Sequence, residues 1–276
     1  MMFDTYIIVD WSAKSMPSPK KPSPDSIWVC EMMKESREYY YRTRKGCYEY
    51  LKRRLKELSA QKVLLGFDFS LGYPKGFATA LGVGSWYAIW EEIDKLITDE
   101  DNRNNRFEAA NNLNERIGAC GPFYGHPKLD LQNLPMKSPG FPFNINGLEL
   151  ENYRLTEKRL NGVQPGWKLI GAGSVGSQAL VGIPYVKRLL DNFDAKVWPF
   201  QTGFLVPRSR VVICEVWPSM IEPDKDLIKD RGQVRALAGY IQELDRKDKL
   251  KDCFMPVLDK QETKTGIEEG WILGVR

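Results

Sequence analysis

Two hydrophobic patterns alternate along this chain: short unbroken apolar runs, and longer stretches with apolar residues every three or four positions. The first run, Tyr6-Ile-Ile-Val-Asp-Trp-Ser12, is rich in β-branched residues and predicts a buried strand. Ser26 to Met33 and Glu38 to Thr43 predict two more, and their short connections favour an antiparallel meander. Between the first two, Lys14 to Asp25 is loaded with Pro, Ser and Lys and reads as a loop. Gly46 to Ser59 places Leu51, Leu55 and Leu58 on one stripe among Lys and Arg, the mark of an amphipathic helix. Val63 to Ser70 predicts a fourth strand and Arg210 to Val216 a fifth, which Trp217-Pro218 ends. Between these, Trp86 to Ile97 and Asn105 to Ile117 have helical spacing, and residues 75–166 read as a helical and loop insertion. Asp230 to Leu244 predicts a helix after the fifth strand. The expectation is a single α/β domain over residues 1–276, built on a mixed five-stranded sheet of three antiparallel and then parallel strands, flanked by helices.

Three of the strands end in a carboxylate: Asp10, Asp68 and Glu215. An acid at the exit of a buried strand is costly unless something positive or hydrogen-bonding meets it. Any one of them alone is equally at home capping a turn or a helix, so the case for a shared acidic site rests on the three together. Close carboxylates repel unless a cation neutralises them. Such clusters hold Mg²⁺ or Mn²⁺, which orients water and stabilises in-line displacement at phosphorus.

The order β-β-β-α-β resembles the ribonuclease-H-like fold, in which the fourth strand lies parallel beside the first and brings two acids together. The words VDWSA (Val9 to Ala13), GFDFSLGYP (Gly66 to Pro74) and CEVWPS (Cys214 to Ser219) resemble the domain-of-unknown-function 429 family. So do RFEAANNLNERI from Arg106, GPFYGHP from Gly121, GSVGSQALVGIP from Gly173 and EEGWILGV from Glu268. The resemblance implies a nuclease-like protein of the ribonuclease-H-like superfamily. Such nucleases draw a last acid from a C-terminal helix, a role for which Asp230 and the pair Glu268/Glu269 compete. Each is otherwise a helix N-terminal acid satisfying the dipole, the reading that suits Asp230 better.

Other segments offer chemistry of lower specificity. His126, the sole histidine, lies in Gly121 to Pro127, where it either binds phosphate or shuttles a proton, or packs structurally in an aromatic loop. Arg154 could grip a phosphate bidentately, or pair with Glu157. Gly171-Ala-Gly-Ser-Val-Gly176 spells G-x-G-x-x-G, but the next strand-like run, Ala195 to Phe200, ends in Gln201 and Thr202 without the ribose-binding acid of a dinucleotide fold. A glycine-rich loop approaching a phosphate, or packing closely, fits better and makes Ser174 and Gln178 candidates for substrate binding, with Ser12 and Ser70 beside the strand acids.

Composition narrows the picture only modestly. Hydrophobic residues make up 42% of the 276 and charged residues 28%, enough for a sizeable core. The net charge of +4 permits an anionic substrate without demanding one. The five cysteines are widely spaced with no C-x-x-C pair, giving neither a disulfide framework nor a zinc ribbon. No apolar run has the roughly 18 residues of a membrane helix, and the first apolar run enters Asp10 directly, unlike a signal peptide; the expected location is cytoplasmic, with no membrane partner.

The leading expectation is a divalent-metal-dependent nuclease or phosphodiesterase, a hydrolase acting on nucleic acid or another phosphate ester. Asp10, Asp68 and Glu215 would be catalytic ligands, with Asp230 as a further ligand and His126 assisting. The alternative is a non-catalytic ribonuclease-H-like module that binds nucleic acid or a protein. A third is an actin-like nucleotide-binding enzyme, in which a glycine usually follows the first acid; here Trp11 stands in that place.

Overall fold

In a computed structural model, which describes residues 1–171, 173–223 and 227–276, the chain opens with strands β1 (Thr5–Asp10), β2 (Ile27–Met32) and β3 (Ser36–Tyr41). Helix α1 (Arg44–Glu57) and strand β4 (Val63–Phe67) follow. A helical and loop segment then carries α2 (Phe77–Ala80), α3 (Trp86–Leu96), the hairpin β5 (Asp99–Glu100) and β6 (Arg103–Asn104), α4 (Arg106–Arg116), and a second hairpin, β7 (Phe143–Ile145) and β8 (Leu148–Leu150). The chain continues through α5 (Val175–Asn192), β9 (Ala195–Val197), β10 (Val211–Glu215), α6 (Lys229–Arg246), α7 (Leu250–Cys253) and α8 (Lys260–Glu269).

The main sheet has six strands in the order β3-β2-β1-β4-β10-β9. β1, β2 and β3 pair antiparallel, while β4, β10 and β9 extend the sheet from β1 in parallel. The expected five strands are thus joined by an edge strand, β9, from the strand-like run at Ala195 that the expected sheet did not include. The hairpin β7–β8 also lies where only loop was expected. It turns at Asn146-Gly147, both in the left-handed region, as a tight two-residue hairpin requires.

Each face of the sheet is buried. One face holds Ile7, Val9, Leu65, Phe67, Val211 and Ile213 against α1, α3, α4 and α5. The other holds Tyr6, Ile8, Leu64, Val212 and Cys214 against Val234, Leu237, Ala238 and Ile241 of α6 and the C-terminal segment. This explains why the parallel strands read as continuous apolar runs rather than alternating ones. Close approach of α5 depends on Gly182, where a Cβ would meet the Phe69 ring at 2.3 Å. No helix of the described residues is long and apolar enough to cross a membrane.

Candidate functional site

The register of the parallel strands decides which acids meet. Val9 lies opposite Phe67, and Phe67 opposite Glu215. Asp10 and Asp68 are therefore level, one residue beyond Val9 and Phe67, whereas Glu215 is level with those apolar residues. Side chains alternate faces along a strand, so Asp10 and Asp68 point to the α6 face while Glu215 points to the opposite one. A single-residue offset separates the third acid from the other two.

Asp10 and Asp68 lie together in the lining of a cleft of about 620 Å³. The Asp68 Oδ1 accepts a hydrogen bond from the Trp11 N–H at 2.7 Å. Burial, then the charges of Asp68 and Asp230, push the Asp10 pKa well above the ordinary carboxylate range. Burial likewise raises Asp68, against the Trp11 N–H that favours its ionised form. Two acids in one desolvated place cannot both carry charge cheaply. Asp230, at the start of α6, adds its charge to theirs, but its Oδ2 accepts from the Asp25 N–H at 2.5 Å, which ties it to the loop that rims the cleft. Burial raises its pKa too.

Glu215 is held otherwise. Its Oε1 accepts from Arg154 Nη2 at 2.6 Å, and its Oε2 accepts from Arg154 Nη1 at 2.8 Å and from the Leu71 N–H at 3.1 Å. Both oxygens reach the cleft wall already engaged: Glu215, expected as a metal ligand, is here the carboxylate of a buried ion pair. Arg154 is equally committed. Its Nε and Nη2 donate to Glu157 Oε1 at 2.9 and 2.8 Å, and Nη2 also to Ser70 Oγ at 3.2 Å. Burial opposes its charge, but the two glutamates hold its pKa above the ordinary value. Arg154 is 1% exposed and does not line the cleft, so it is no phosphate grip; it ties residues 154–157 to the end of β10. Ser70 lines the cleft, yet its hydroxyl serves this ion-pair network by donating to Glu157 Oε1 at 3.3 Å.

The remaining expected residues divide by place. Ser12, Ser174 and Gln178 line the cleft with Asp10, Asp68 and Asp230. Ser12 Oγ donates to the Asp25 carbonyl at 3.1 Å, and Gln178 Nε2 to the Trp11 carbonyl at 2.5 Å, fastening the residues after β1 to both the rim loop and α5. His126 does not line the cleft, and its Nδ1 accepts from the Leu129 N–H at 2.9 Å within its own turn. Glu268 and Glu269 are not cleft acids either. Glu269 accepts from the Lys75 and Leu155 N–H groups and Glu268 from that of Gly76, so they anchor backbone.

The glycine-rich turn is also a packing device in part. A Cβ on Gly176 would stand 2.4 Å from the Gly166 carbonyl oxygen and 2.7 Å from that of Lys168. The run Trp167 to Ile170 joins no sheet beyond one bridge, Tyr124 to Lys168, so the strand a dinucleotide motif needs before its turn is missing among the described residues; Ala172 of the motif lies outside them.

Two arginines that the sequence did not single out support the cleft. Arg44, fully buried, donates to Asp99 at 2.6 and 2.8 Å and to the carbonyls of Ser12 and Lys14 at 2.8 and 2.9 Å, setting the path of the chain after Asp10. Arg106, the first residue of α4, lines the cleft. Basic residues at helix starts are common, and only the fold shows where these two point.

Among the described residues, no three His, Cys, Asp or Glu side chains are gathered to hold a metal ion. The carboxylates that could hold a cation here are the level pair Asp10 and Asp68. That set suits Mg²⁺, which keeps several waters and binds through one or two carboxylates together with substrate phosphate rather than in an all-protein cage. Comparison with family models, with curated proteins and with solved structures found no match for this chain.

Proposed function

We propose that this protein is a divalent-metal-dependent phosphodiesterase of ribonuclease-H-like type, acting on nucleic acid or a related phosphate ester. The observation that carries this reading is the Asp10–Asp68 pair, level on adjacent parallel strands at the floor of an open cleft, with both pKa values raised by burial. Paired acids with shifted pKa values in a cleft mark functional sites more often than structural ones. The strand order, with β4 parallel beside β1 and the meander on the other side, supports the ribonuclease-H-like assignment, as do the sequence words that resemble the domain-of-unknown-function 429 family.

Asp10 and Asp68 would hold Mg²⁺ or Mn²⁺. When bound there, the cation neutralises the pair, orients water and stabilises charge at phosphorus. Ser12 and Gln178 keep Asp10's strand end in place, and Asp230 holds the rim loop through Asp25. Glu215 and Arg154 fix the far wall.

The two-carboxylate donor set also favours a second reading, a module that binds a phosphate-bearing partner without turning it over. Cleavage of labelled single- and double-stranded DNA and RNA, with Mg²⁺, Mn²⁺ or EDTA, separates the two. Divalent-dependent products that vanish in Asp10→Asn are expected. No products from a folded wild type would leave the binding reading in place, and products from folded Asp10→Asn would remove the pair from the chemistry.

A further inference from the structure

Arg106 differs from the other buried or half-buried arginines near the cleft. Arg44 is matched by Asp99 and Arg154 by Glu157 and Glu215. Among the described residues Arg106 has no ion pair. Its Nε donates to Ser177 Oγ at 2.9 Å, and its Nη1 to Ser15 Oγ and Asn104 Oδ1, each at 2.9 Å. Its Nη2 donates to none of them, and the residue lines the cleft. Burial and the nearby charge of Arg44 lower its pKa to about 10, which still leaves it charged at neutral pH. Glu108, two residues further along the same helix, favours the charge but forms no ion pair with it among the described residues, and a half-buried cation without a paired counter-charge is costly unless an anion meets it.

The surroundings fit that anion. The guanidinium of Arg106 itself lies over the Phe107 ring, its Cζ 4.2 Å from the centroid, so its plane is held in place. Ser177, which accepts from it, lies in the first turn of the 18-residue helix α5 and donates its own hydroxyl to the Leu169 carbonyl at 2.5 Å. The N–H groups of that turn have no partners within the helix and favour negative charge. Lys14 and Lys229 stand on the rim of the same cleft. Gln178, next to Ser177, reaches the carbonyl of Trp11, the residue after Asp10. Arg106 and the acid pair are thus fastened to the same short segments.

We propose that Arg106 is the anion-binding residue of the cleft, taking a phosphate group of the substrate beside the Asp10–Asp68 pair and without help from a divalent cation. A planar guanidinium with an open edge suits phosphate oxygens. The inference deepens the proposed function and rests on it for the role of that phosphate in turnover, but not for binding itself.

The test is calorimetric titration of the full chain with inorganic phosphate in EDTA, for wild type, Arg106→Gln, Arg106→Lys and Asp10→Asn. Saturable binding is expected in wild type, and Asp10→Asn, which sheds a negative charge, binds as tightly or more tightly. Arg106→Gln weakens binding about tenfold or more, and Arg106→Lys less than that. If Arg106→Gln does not fold, phosphate-induced amide shifts in wild type decide the matter, expected at Arg106 and the first turn of α5. No saturable binding, equal binding by folded Arg106→Gln, or shifts centred elsewhere would overturn the inference. Because these assays contain no cation and read no turnover, they stand or fall separately from the cleavage panel.

Discussion

Replacing Arg154 by Met isolates the ion-pair network behind the cleft. Arg154 carries one positive charge between two buried carboxylates, Glu157 and Glu215, which are 3% and 4% exposed. Without it, two like charges remain in the interior, and breaking a buried pair by removing one partner costs about 3–5 kcal/mol. Over 276 residues, the unfolding entropy is about 0.6 kcal/mol/K, so the melting temperature should fall by about 5–9 °C. Glu215→Gln behaves differently. It leaves Arg154 and Glu157 in charge balance and keeps an oxygen for the Leu71 N–H, so its cost is about 1 kcal/mol, near that of one hydrogen bond. Acidity sharpens the contrast: burial, together with the charge of Glu215, already holds the Glu157 pKa high despite Arg154. Unpaired, Glu157 regains neutrality by protonation, and the Arg154→Met penalty shrinks between pH 8 and pH 5. Thermal unfolding followed by circular dichroism at both pH values measures this. An Arg154→Met protein melting within about 2 °C of wild type, or a Glu215→Gln protein melting as low as Arg154→Met, would refute the assignment of Glu215 to this network.

The acid pair has its own pH signature. Asp68 is raised from 3.8 to about 7 by burial, so the folded state holds the proton more tightly than the unfolded chain. Its stabilising effect is present below that window and is lost as pH rises through about 7; the melting temperature should drop from pH 5 to pH 8 less steeply in Asp68→Asn. Mg²⁺ should raise the melting temperature at pH 8 more than at pH 5, and Asp10→Asn should abolish the difference. His126→Asn, which can still accept from the Leu129 N–H, should leave turnover unchanged in the cleavage panel. Gly176→Ala should destabilise by about 1–3 kcal/mol in chemical denaturation, because the new methyl group meets backbone carbonyls at Gly166 and Lys168.

Much of the sheet was legible from local pattern. The runs at Tyr6, Ser26, Val63 and Arg210 became strands, since continuous apolar β-branched sequence has few other buried uses, and the aromatic run at Glu38 became the half-exposed edge strand beside β2. The run at Ala195 was legible as strand-like, but its place at the edge of the main sheet was not, because pairing with β10 decides it. Asp10 and Asp68 were legible as strand-end acids. The separation of Glu215 was not, because register is a property of pairing across residues far apart in sequence, and one step reverses the face a side chain takes. Arg154 shows the same limit: its spacing to Glu157 suggested a local pair, and the pair exists, but the tie to Glu215 comes from 61 residues away. Arg106 opened one of the family-like words, but nothing local marked its role, since what distinguishes it is the lack of an ion pair among the described residues and its place in the cleft.

The central claim is that Asp10 and Asp68, without Glu215, form the cation-binding pair of this cleft. Titration with Mn²⁺, with free ion counted by its paramagnetic resonance signal, tests it on folded wild type, Asp10→Asn, Asp68→Asn and Glu215→Gln. Binding in wild type and Glu215→Gln, and its loss in both aspartate variants, is the expected result. Binding that survives Asp10→Asn, or that disappears in folded Glu215→Gln, would contradict it.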